Sequence, residues 1–75
     1  MTIEWEDGFM VQVTVESDTV VISANREGLL SLARQLTALA EECPGSHIHY
    51  DQYNSLEKGS VEMVIQKGGA EMVAN

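Results

Sequence analysis

The 75-residue chain has a single cysteine, Cys43, so no disulfide can close within it and the fold cannot depend on oxidation. Basic side chains are scarce: four Lys and Arg stand against twelve Asp and Glu, a net charge of −8 at pH 7. Such a balance repels polyanions, so neither nucleic acid nor an anionic membrane is expected as a partner. No long apolar run occurs, and nothing in the chain reads as a membrane span. Residues 1–7 are acidic and lack the apolar stretch of a signal peptide, so with its reduced thiol the protein is expected in the cytoplasm. The glycines form no phosphate loop, and serines 23, 31, 46, 55 and 60 lie in no nucleophile motif. There are no internal repeats and no low-complexity tract.

What is present reads as one small domain. A chain of this length buries only about 60% of its extended surface, enough for two thin layers but not for a deep, water-excluding active site. Phe9, Val11, Val13 and Val15 alternate with Met10, Gln12 and Thr14, the period of a half-buried strand. Ile3 and Trp5 share the parity of Phe9, so a short strand is expected to lead in, with Asp7-Gly8 as a bulge or turn. After the polar break at residues 16–18, residues 19–23 form a second β-rich run and hence an antiparallel hairpin. Asn25 is a ready helix cap, with Glu27 in the first turn. Leu29, Leu32, Ala33, Leu36, Leu39, Ala40 and Cys43 recur at spacings of three and four, predicting one buried stripe that ends at Pro44-Gly45.

Residues 46–51 alternate again, placing Ile48 and Tyr50 on one face and His47, His49 and Asp51 on the other. Residues 52–59 read as a polar loop anchored by Leu56, and residues 60–66 as a last strand with Val61, Met63 and Ile65 inward. The expected architecture is α+β: a two-layer ββαββ domain over residues 1–67, a four-stranded, mainly antiparallel sheet in the order 2-1-3-4 with one helix on one face. Residues 68–75 are read as a flexible tail. A single helix covers only one sheet face, so Met10, Gln12, His47, His49, Asp51, Glu62, Val64 and Gln66 are assigned to an open face.

Two groups of residues are candidates for partner binding. Chain path brings Glu16 and Asp18, at the first hairpin, to the same end of the domain as Glu41 and Glu42 at the helix C-terminus. Glu41 and Glu42 stand at the negative end of the helix dipole, at a cost of roughly 0.3–1 kcal/mol each if exposed. His47, His49 and Asp51 project from one face of a strand, successive ones about 7 Å apart at Cα. Such a trio can begin a zinc site, but the chain has no third histidine and no second cysteine, so neither metal nor cofactor is assigned. An exposed sheet face is the plainer reading. Cys43 reads as a small buried hydrophobe, Trp5 as core and Tyr53 as loop packing, with an interface role as the alternative for both aromatics.

Three segments carry a family resemblance: Asn25-Arg-Glu-Gly-Leu-Leu-Ser-Leu-Ala33, Gly45-Ser-His-Ile-His-Tyr-Asp51 and Leu56-Glu-Lys-Gly-Ser-Val-Glu62. Together they resemble the immunity protein 32 family of bacterial polymorphic toxin systems, across about residues 20–66. The resemblance implies a non-enzymatic protein that neutralises a cognate toxin by direct binding. Strong acidity suits a basic toxin. Alternatives are a small homodimeric interaction module, and a small metal-dependent enzyme built on the His-x-His-x-Asp strand.

Overall fold

A computed structural model describes residues 1–72. Its elements are β1 (Val11–Glu16), β2 (Thr19–Ala24), α1 (Arg26–Ala40), β3 (His47–Tyr50) and β4 (Met63–Gln66). The first hairpin is tight. Ser17 and Asp18 both adopt positive φ, +48° and +66°, the two-residue turn whose twist matches that of the strands it joins. No strand precedes β1. Residues 1–6 are irregular, and the chain turns at Gly8 (φ +81°), where Phe9 N–H donates to the Glu6 carbonyl at 3.1 Å.

Asn25 organises the entry into α1. Its Oδ1 accepts from Gly28 N–H at 2.8 Å and from Met10 N–H at 3.0 Å, and its Nδ2 donates to the Gly8 carbonyl at 2.8 Å. One side chain thus caps the helix and ties it to the start of β1. Gly28 sits where a side chain would not fit: a Cβ there would lie 2.5 Å from the Met10 carbonyl oxygen and 3.0 Å from Val11 Cγ2. At the other end Lys67, just after β4, donates its Nζ to the Ala40 and Glu42 carbonyls at 2.6 and 2.7 Å. The helix therefore runs from the first hairpin to the end of the last strand.

The core is small: Val11, Val13, Leu32, Leu39, Ile48, Tyr50 and Leu56. The expected inward faces of β1 and β3 are confirmed at Val11, Val13, Ile48 and Tyr50, and Leu56 anchors its loop. The helical stripe is corrected. The buried residues of α1 are Gly28, Ser31, Leu32, Gln35 and Leu39, whereas Leu29 is 56% exposed and Ala33, Leu36, Ala40 and Cys43 are exposed too. The reason lies in residues 1–6. Without a strand partner, their backbone groups need donors and acceptors, and α1 supplies them. Ser31 Oγ accepts from Glu6 N–H at 2.8 Å, and Gln35 Nε2 donates to the Glu4 carbonyl at 2.8 Å. Gln35 Oε1 also accepts the Tyr50 hydroxyl proton at 2.8 Å. These bonds rotate the helix so that polar side chains face inward.

The single four-stranded sheet in the order 2-1-3-4 is also corrected. β1 pairs only with β2 and β3 only with β4, as two separate antiparallel pairs. The outer edge of β1 is taken by residues 57–61 instead. Glu57 and Val61 donate their N–H groups to the Val11 and Val13 carbonyls at 2.8 and 2.9 Å, and Ser60 Oγ accepts from Val13 N–H at 3.1 Å. A side-chain hydroxyl standing in for a ladder carbonyl breaks the regular pattern, so no continuous sheet forms. Val61, expected inward, is exposed. In the expected tail, Met72 N–H closes a turn on the Gly69 carbonyl, while residues 73–75 lie outside the described residues.

Candidate functional site

The acidic candidates sit where backbone geometry leaves them in solvent. Glu16 ends β1 and Asp18 occupies the turn; both are exposed. Glu41 is the exposed C-cap of α1, and Glu42 beside it is half-buried. Lys67 changes the reading of these two glutamates. Its ammonium lies on the terminal carbonyls and offsets the unfavourable end of the dipole, a compensation that sequence spacing does not disclose. Most of the acidic surface has no such partner. Arg34 pairs with Glu6 at 3.0 Å, and that is the one ion pair among the described residues.

The strand trio is only partly assembled. His47 and His49 lie exposed on one face of β3, with ring centroids 4.8 Å apart at 78°. Asp51 turns away from them. Its carboxylate accepts from Tyr53 N–H at 2.8 Å and Asn54 N–H at 3.0 Å, and its carbonyl accepts from Ser55 and Leu56 N–H. Asp51 thereby folds the loop back on itself and presents Tyr53, which is 90% exposed and packs on nothing. The loop-packing expectation for Tyr53 is thus overturned. Cross-strand register sets Val64 opposite His49 and Gln66 opposite His47, so the open face continues onto β4 as assigned. Among the described residues, no three His, Cys, Asp or Glu side chains converge as a metal site would require.

Trp5 is half-buried. It stacks on Phe9 with centroids 4.2 Å apart and meets Tyr50 edge-on at 6.1 Å. Beside it, Ile3, Trp5, His49, Tyr50, Asn54 and Ser55 line an open cleft of about 320 Å³. The Tyr50 hydroxyl is pushed above its ordinary value by burial. Sequence parity alone did not find this cleft, because it is walled by the irregular segment before β1. Cys43, read as buried, stands in solvent with no base hydrogen-bonded to it. No helix of the described residues is long and apolar enough to cross a membrane.

The model of one protein family, Immunity protein 32, matches residues 19–68, two thirds of the chain. The chain belongs to the immunity protein 32 family. The matched region spans β2, α1, β3, β4 and the loop between the last two strands. It begins after β1 and leaves out the irregular segment with Trp5. Membership of an immunity protein family implies, in general terms, binding to a cognate toxin. No curated protein and no solved structure matches the chain. Within this family member, Gly28 and Asp51 have clear structural duties: close packing on Met10 and shaping of the Tyr53 loop.

Proposed function

We propose that this immunity protein 32 family member neutralises a cognate protein toxin in the cytoplasm by forming a direct, non-enzymatic complex. The family match over residues 19–68 is the observation that carries this reading. The electrostatics support it. With a net charge of −8 and one internal ion pair among the described residues, Glu16, Asp18, Glu41 and Glu42 stand ready to steer a basic toxin. His47 and His49 offer an adjoining polar face, and the Asp51 loop holds Tyr53 out as an aromatic anchor of the kind that dominates interface energetics.

Neutralisation by occupancy has a direct test. Co-expression with a cognate toxin should restore growth, and the purified pair should associate faster at low salt. Reversing Glu41 and Glu42 to lysine should slow association and flatten its salt dependence, because surface charges act mainly on the encounter rate. Tyr53→Ala should instead speed dissociation. A toxin that stays fully active with an excess of the folded chain overturns the proposal. An on-rate indifferent to Glu41 and Glu42 removes the steering role alone.

A further inference from the structure

We infer that a second copy of this chain pairs with it edge to edge along β2, as an antiparallel two-fold dimer. Among the described residues β2 has one strand neighbour, β1, and all its residues are exposed or half-exposed, so no described strand pairs with its outer edge. In a hairpin with a two-residue turn, Glu16 and Thr19 form the first hydrogen-bonded pair, and such pairs recur at every second residue. The bond from Asn25 N–H to the Met10 carbonyl confirms this phase. The N–H and C=O groups of Val20, Ile22 and Ala24 therefore point outward. Natural edges are usually guarded by charge, proline or a bulge, yet residues 19–24 carry none of these.

The side chains agree with the backbone. Register sets Ile22 opposite Val13 and Val20 opposite Val15, on the face that buries Val11 and Val13. Because α1 leaves the first hairpin for the end of β4, it does not cover them: Val20 is 60% exposed and Ile22 44%. The exposed Leu29 stands in the first turn of α1, the helix that follows β2.

Charge decides which occupant fits. The two ends of β2 are opposite in sign, with Asp18 before it and Arg26 after it. With Ile22 on the two-fold axis, Val20 faces Ala24 of the second copy, and the turn that carries Asp18 comes to the end of the strand from which Arg26 opens α1, twice over. Arg26 is the first residue of α1, at the positive end of its dipole, where a cation is disfavoured. An aspartate from a second copy offsets that placement. The net −8 of each copy opposes pairing, but exposed charges are screened over about 8 Å at physiological salt, whereas paired strands lie about 4.8 Å apart. This inference is independent of toxin neutralisation.

Light scattering on the full chain across concentration tests it. The wild type should be dimeric, with Val20, Ile22 and Ala24 amides protected from exchange. Ile22→Lys should give a monomer. Arg26→Glu should weaken the dimer about tenfold or more without lowering the melting temperature of the monomer, since it improves the helix dipole. Combining it with Asp18→Lys should restore dimerisation, a rescue that a merely structural role does not produce. A wild type that is monomeric at about 1 mM, a dimer unchanged by Arg26→Glu, or a double variant that fails to recover would each overturn the pairing. So would edge amides protected only when the toxin is added, which gives β2 to the toxin instead.

Discussion

The two flanks of α1 invert the usual rule. One flank presents Ser31 and Gln35 and is buried, Gln35 to 3% exposure. The other presents Leu29, Ala33 and Leu36 and is open to solvent. The difference lies not in the helix but in what lies over each flank. Residues 4–6 cross the first with unpaired backbone groups, and Ser31 and Gln35 satisfy them. Over the second lies no segment among the described residues. Burial follows coverage, and polar residues tolerate it where every donor and acceptor is met. An uncovered leucine flank is a surface that a partner can use.

The strongest way to break this comparison is Gln35→Leu. It adds apolar surface at a buried site, yet it should destabilise the fold by about 2–3 kcal/mol, because the Tyr50 hydroxyl and the Glu4 carbonyl lose their partner. Urea denaturation measures it, and a stabilised variant would reverse the reading of that flank. Gly28→Ala should cost about 1–3 kcal/mol despite alanine's better helix propensity, since the new methyl meets the Met10 carbonyl. Unchanged thermal stability there would show that the helix can shift off β1.

The pH dependence of stability probes the same buried network. Burial raises the Tyr50 pKa above its ordinary 10.0, so the folded state holds that proton more tightly than the unfolded chain does. The corresponding stability is complete below about 10 and is lost as pH climbs through the raised folded value. Denaturation midpoints should fall over that window in the wild type. In Tyr50→Phe that component should vanish, along with about 1 kcal/mol of hydrogen-bond stability at neutral pH. The smallest effect belongs to the open flank. Leu36→Gln should change stability by no more than about 0.5 kcal/mol, and a loss of 2 kcal/mol or more would mean that Leu36 is core after all.

Local signals were legible where one residue or a short alternation decides the outcome. The Asn25 cap, the inward Val11, Val13, Ile48 and Tyr50, and the outward His47 and His49 all follow from such signals, whereas the helix ends at Ala40, short of the Pro44-Gly45 stop that the sequence suggests. Of the candidate site, exposure was legible but assembly was not. The sequence puts Asp51 in line with two histidines, but two bonds from its own loop, donated by Tyr53 and Asn54 N–H, draw the carboxylate away. It also sets Glu41 and Glu42 against the helix dipole and cannot disclose that Lys67, more than twenty residues on, supplies the compensating charge.

The sequence by itself determined the element order, the cap and the turns, because these depend on groups within a few residues of each other. It also determined the family. Only the tertiary structure decided which flank of α1 is buried, that residues 57–61 and not β3 take the outer edge of β1, and that no described strand pairs with the outer edge of β2. Each of those outcomes is a competition between distant segments for the same backbone donors and acceptors. Hydrophobic periodicity carries no information about which segment wins it.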